Sequence, residues 1–415
     1  MKDLRSEVRA AFEKEQDAHP PVANLRPTVL RSVTTRPTRT VNLQWLAAAA
    51  VLLITALVVA SLVSSRVLRN QVPAHTSPAP TVRANGDYGP PPAGVPLFYL
   101  KDPDHPGWYV GFDWTGTPRA TLKLPPQSDQ GLSLAQSADG SFFIYRPGGK
   151  GGSGQFYDRL GRPLSGNGGF AGAVWADDNS RQCGMAVDES SGKWILATQV
   201  PGQPARSVAT VASYSQGEQS ALELLACSVH NDRAVVERIA NSYPTDLWVI
   251  QLSDGKVQTH TTYTDNGTQL GPLAASPDGS LVALNSSQSV GGATQASTPT
   301  TVVRASDGAL VAKLDPSLAI LAFSADNKTV LVTTSPWVVN TAAHLAVLEI
   351  PSQRTVWRYD GPEQLAGFFV DPAGSGFAVM LQSPNDPAGA HPTVDVVILT
   401  QNSEPLIVPR HYQRP

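Results

Sequence analysis

Ala275-Ser276-Pro277-Asp278-Gly279-Ser280-Leu281-Val282-Ala283 joins a tight polar turn to a short apolar run. The same turn reads Ser137-Ala138-Asp139-Gly140-Ser141, then Ala176-Asp177-Asp178-Asn179-Ser180, then Ser324-Ala325-Asp326-Asn327-Lys328. Two worn copies are Val229-His230-Asn231-Asp232-Arg233 and Asp371-Pro372-Ala373-Gly374-Ser375. Aligned on the third residue, the steps are 39, 53, 47, 48 and 47 residues. A period in the forties marks a solenoid or propeller. Asp and Gly suit a hairpin turn because they tolerate φ > 0, and Asp bonds its own backbone.

A second hairpin follows in each repeat. Leu247 to Leu252 turns at Ser253-Asp254-Gly255, and Thr301 to Ala305 turns at Ser306-Asp307-Gly308. Leu345 to Ile350 turns at Ser352-Gln353, and Val394 to Leu399 turns at Gln401-Asn402-Ser403. Two hairpins per repeat make a four-stranded meander, the blade of a propeller. The expected fold is therefore all-β, a β-propeller of four-stranded blades over residues 97–415. Seven blades is the favoured count, with six and eight as alternatives. The first blade reads as one strand short, so ring closure is expected to draw on the C-terminal segment, because an open ring leaves unpaired edges.

These repeats resemble those of TolB-type, WD-repeat-like propellers of bacteria over roughly residues 97–410. The resemblance implies the fold and little about function. The Trp-Asp and Gly-His pairs of true WD repeats are absent, so no partner-binding residues carry over.

Leu46 to Val63 carries no charge. Eighteen such residues rise about 27 Å as a helix, close to the hydrocarbon thickness of a bilayer. Leu43 to Val63 holds eleven Leu, Ile and Val residues, whose insertion gains roughly 3–6 kcal/mol. Trp45 suits the interface. A long preceding segment and the lack of an Ala-x-Ala site argue against a cleaved signal peptide. Residues 45–65 are thus expected to be a single transmembrane helix, a retained signal anchor. Arg26, Arg31, Arg36 and Arg39 precede it, against Arg66, Arg69 and Arg83 after it. This bias places residues 1–44 in the cytoplasm and the propeller outside. Leu4, Val8 and Phe12 form one stripe of a short amphipathic helix in the tail, a candidate docking surface for a cytoplasmic protein. Residues 66–96 are a proline-rich stalk.

The formal net charge of −3 supplies no basic field for nucleic acid. The histidines have no i, i+4 or Cys-x-x-Cys companions, so no metal or cofactor is expected. Asp102, Asp104 and His105 read as a solvated loop. Gly148 to Gly154 lacks the phosphate-loop spacing. No Gly-x-Ser-x-Gly elbow is present, and no catalytic residues are assigned. Trp175 matches the position of Phe323, three residues before the turn Asp, and reads as packing between blades. Trp108, Tyr109 and Trp114 are the candidate recognition surface. Cys183 and Cys227 lie on facing strands of neighbouring blades and form a candidate disulfide.

The expected function is a membrane-anchored, extracytoplasmic binding or scaffolding module for protein, peptide or glycan, and not an enzyme. The alternatives are an anti-sigma-factor-like transmembrane regulator with the propeller as sensor, and a propeller hydrolase or lyase.

Overall fold

Each recurring turn closes on itself. Ser276 is fully buried, and its hydroxyl donates to Asp278 while accepting the Leu281 N–H. Asp278 in turn accepts the N–H and hydroxyl of Ser280. Ser137 with Asp139 and Ser324 with Asp326 repeat the arrangement. In five of the six copies the fourth residue is left-handed: φ is 70° at Gly140, 58° at Asn179, 50° at Asp232, 67° at Gly279 and 57° at Asn327. Asp232 in that conformation confirms the worn copy at 229–233 as a true repeat. Buried serines and aspartates are tolerable here because they are satisfied within the turn or, as with Ser228 and Asp177, by the turn of the adjoining blade.

The computed structural model describes residues 86–125, 133–146, 154–168, 170, 172–214, 221–239, 245–263, 274–284, 299–334, 343–374, 376–383, 393–400, 405–413 and 415. The tail residues Leu4, Val8 and Phe12, the apolar segment 45–65 and the stalk up to residue 85 lie outside these. So does most of the glycine run 148–154.

Strands β1 (Phe98–Lys101), β2 (Trp108–Phe112) and β3 (Pro118–Lys123) come first. Five four-stranded antiparallel sheets follow in chain order. The first holds β4 (Ser133–Gln136), β5 (Phe142–Arg146), β6 (Gly154–Asp158) and β7 (Pro163–Gly168). The second holds β8 (Val174–Trp175), β9 (Gln182–Asp188), β10 (Lys193–Gln199) and β11 (Arg206–Ser213). The third holds β12 (Ala221–Ser228), β13 (Arg233–Ile239), β14 (Thr245–Gln251) and β15 (Val257–Tyr263). The fourth holds β16 (Ala274–Ala275), β17 (Leu281–Leu284), β18 (Thr301–Arg304) and β19 (Leu310–Lys313). The fifth holds β20 (Leu318–Phe323), β21 (Thr329–Thr334), β22 (His344–Glu349) and β23 (Thr355–Asp360). Last come β24 (Gln364–Val370), β25 (Phe377–Gln382), β26 (Thr393–Leu399) and β27 (Leu406–Gln413).

The fold is an all-β propeller with four-stranded blades. The expected blade count needs correction. Five blades are separate, whereas seven, or six or eight, were expected. The two ends of the chain share one seven-stranded sheet, ordered β24-β25-β26-β27-β1-β2-β3. The reason is β27, which pairs along β26 and then meets β1 at Lys101 opposite Gln413.

The core lies between sheets. Ala283 and Val302 of one blade pack on Phe323, Val330 and Val332 of the next. Val235 and Val249 pack likewise on Val282 and Val303. Trp175 stacks on Phe142 and meets Phe156 edge-on, at 6.0 and 6.1 Å, in the blade before it. The chain ends share their own cluster, in which Phe98, Val110 and Phe112 pack on Ala378, Val396, Val408 and Tyr412.

The outer hairpin turns nest on the neighbouring sheet. A Cβ on Gly161 would stand 2.7 Å from the Lys123 carbonyl of β3. One on Gly116 would touch Ile398 and Val408. Gly255 is the tightest, at φ 72° with the Val208 carbonyl 2.2 Å from a Cβ. Gly255→Ala therefore strains the backbone and drives into a main chain that cannot swing away. The expected loss is at least about 2 kcal/mol, read as a lower denaturant midpoint at unchanged slope.

Candidate functional site

Antiparallel meanders send alternate connections to opposite ends of a propeller. One end, the turn end, carries the recurring turns and the outer hairpin turns. Its connections run only from four to six residues. The other, the loop end, carries connections of three residues (361–363) to sixteen (285–300). Nine residues (335–343) join β21 to β22, and ten (383–392) join β25 to β26. Much of the long connections lies outside the described residues.

The turn end pairs most of its charged groups internally, leaving Asn179 Oδ1, Asn327 Oδ1 and Arg233 Nε buried there without a partner. Five outer hairpins neutralise their own charge: Arg119 with Asp113, Arg162 with Asp158, Lys256 with Asp254, Arg304 with Asp307 and Arg354 with Glu349. Asp113 also accepts the N–H groups of Thr115 and Thr117, and Asp158 those of Leu160 and Arg162. Recurring turns also bond to the next blade: Asp177 accepts the Ser228 hydroxyl and the Val229 N–H, and Asn327 donates to Ser280. Polar groups so committed are unavailable to a ligand.

Burial raises the Asp278 carboxyl, but hydrogen bonds from Ser276, Ser280 and Asn327 hold it below the usual range. Asp371 goes the other way. Its burial, with Asp326 of the adjoining blade nearby, outweighs one N–H from Ala373 and pushes it up. A carboxyl easier to protonate folded than unfolded destabilises the fold as pH rises through its folded value. The penalty is absent below the ordinary carboxylate range, near 4. Asp371→Asn is therefore expected to raise the melting temperature at pH 7 by a degree or two, roughly. The gain should shrink toward zero as pH falls to about 4. Thermal melts over that range check both.

At the loop end, three aspartates hold histidines. Asp102 faces His105 at 2.8 Å, Asp246 faces His260 at 3.1 Å and Asp360 faces His344 at 2.9 Å. Asp102 also accepts the Asp104 N–H, so this trio is bonded within its own loop. Among the described residues, no group of three or more His, Cys, Asp or Glu side chains is arranged to hold a metal.

The three aromatic candidates separate. Trp108 is half-buried, with the His105 ring stacked on it at 4.5 Å and the Lys123 ammonium 4.3 Å from its centroid. Two groups thus already pack against the indole. Tyr109 is buried in the core with Leu97, Tyr99 and Phe143. Its place in β2 alternates with Trp108, and alternation sends it inward. Trp114 packs against Phe98 at the junction of the chain ends. Of the three, only Tyr109 is fully enclosed in the core. Cys183 of β9 and Cys227 of β12 are bridged, with Cα atoms 6.3 Å apart. Their disulfide ties the second separate blade to the third, inside the cluster of Met185, Leu196, Val236 and Trp248.

What sequence reasoning missed is the division between the two ends. The signal was present, because the repeats keep their turn lengths while the intervening connections do not.

No known family model and no curated protein matches the sequence. Solved propellers resemble the structure at low identity. An oligogalacturonate lyase in complex with manganese is 12% identical, over 76% of this chain and 85% of that one, with a TM-score of 0.46. A eukaryotic initiation factor is 10% identical, over 79% and 93%, with a TM-score of 0.44. Prolyl oligopeptidase B from Galerina marginata is 11% identical, over 76% of this chain and 50% of that one, with a TM-score of 0.47. Such likeness extends to the fold and says nothing of ligand or activity.

Proposed function

We propose that this chain is a membrane-anchored, TolB-type propeller of bacterial kind that binds a protein, peptide or glycan outside the cytoplasm and performs no catalysis. Its loop end is the recognition surface. One observation carries the reading: connections of widely unequal length leave one end, while the opposite end is built of uniformly short turns. Binding residues concentrate on loops held by a rigid scaffold, and a propeller is such a scaffold.

The uncharged segment 46–63 supports the anchor. No helix among the described residues is long and apolar enough to cross a membrane, and that segment lies outside them. A buried Cys183–Cys227 bridge supports an oxidising compartment for the propeller. If the anchor is real, alkaline extraction leaves the full chain in the membrane pellet; release into the supernatant contradicts it.

The recognition surface is tested on the full-length, detergent-solubilised protein. Replacing residues 287–297 and 385–391 by short Gly-Ser linkers should leave the melting temperature unchanged and abolish retention of a partner that co-purifies with the natural chain. Retention undiminished at an unchanged melt contradicts the assignment.

A further inference from the structure

One position of the repeat breaks the pattern. The residue three places before the turn Asp, or its equivalent, points toward the preceding sheet. Trp175, Ala275, Phe323 and Val370 fill it with apolar packing on that neighbour. Ser228 fills it with a hydrogen bond to Asp177 of the blade before. In the first copy the residue is Gln136, and the sheet before it has no inner strand.

There, β1 is the inner edge, paired with β2 on one side and with β27 at Lys101 alone on the other. Three of its edge groups nevertheless have partners. The Gln136 Oε1 accepts the Tyr99 N–H at 2.9 Å, and its Nε2 donates to the Leu97 carbonyl at 3.4 Å. The Leu97 N–H donates to the Asp139 carbonyl at 3.2 Å. Leu97, Phe98, Tyr99 and Leu100 are all fully buried, so water cannot serve this edge. A carboxamide offers one acceptor and one donor at the spacing of a peptide group, which an unpaired edge requires.

We propose that the Gln136 side chain stands in for the absent inner strand at β1, and that this seam is where the ring first opens. A side-chain amide is held by rotatable bonds, whereas a strand is held by its whole ladder, so the seam is the weakest joint of the closed ring.

Hydrogen exchange on the full-length protein, followed for the peptide covering 97–101 and for β21 as reference, tests this. In Gln136→Ala, exchange at 97–101 should rise roughly tenfold or more while β21 stays unchanged. Gln136→Glu keeps the acceptor for Tyr99 and loses the donor to Leu97, and should fall between the two. Equal acceleration in both regions would make Gln136 an ordinary packing residue and overturn the proposal. So would unaltered exchange at 97–101. If the alanine variant does not fold, the glutamate variant decides alone: selective acceleration at 97–101 supports the seam, and exchange like that of the natural protein refutes it.

Discussion

A chain ending at residue 404 melts more than about 10 °C below the full-length protein, or shows no cooperative transition. The missing residues include all of β27, which, among the described residues, is the strand that joins β26 to β1. Val408 and Tyr412 are 2% and 3% exposed in the core shared by those ends. Burying two such side chains contributes about 3–6 kcal/mol. Losing β27 also strips the ladder from β26, removes the floor beneath Gly116 and leaves edges ready to pair with other chains. Leu406→Ser is the control, since Leu406 is 40% exposed and its replacement should cost under about 0.5 kcal/mol. A truncated protein that melts within a degree or two of the full chain would mean that β27 does not close the ring.

Breaking the inter-blade disulfide ranks second. Cys183 and Cys227 are 44 residues apart in sequence, and freeing a loop of that length costs about 4 kcal/mol on the chain-entropy account. Both sulfurs lie in a closed apolar cluster, so alanine fits the chemistry of the site and leaves only a small void. The double variant Cys183→Ala, Cys227→Ala is expected to melt roughly 5–10 °C lower. Added reductant should lower the melt of the natural protein toward that of the variant and leave the variant untouched. An equal melt for both proteins, insensitive to reductant, would show that the bridge contributes nothing.

The fold was legible because its signal is local. Ser-x-Asp-Gly specifies a turn within five residues, and even the degraded Asn231-Asp232 copy keeps the left-handed residue at its place. Trp175 was legible as packing for the same reason: its register against the turn matches that of Phe323. The part played by the C-terminal segment in closing the ring was legible from the missing strand of the first blade, but the merging of both ends into one sheet through a single pair, Lys101 and Gln413, was not. Counting hairpins therefore overstated the number of separate blades. The surroundings of the aromatic candidates were hidden for a different reason. Residue type marks Trp108 as a stacking group, but only the structure shows His105 and Lys123 occupying it. The candidate surface itself lies in connections that do not repeat, so no periodicity points to it.

Site-specific photo-crosslinking in intact cells shows which end of the propeller meets a partner. A photoreactive side chain is placed at exposed positions of the full-length protein: Glu189 and Ser317 at the loop end, Ala138 and Lys328 at the turn end. Recognition at the loop end gives discrete, saturable crosslinks from the first pair and none from the second. Crosslinks arising from Ala138 and Lys328 while Glu189 and Ser317 stay silent would contradict it.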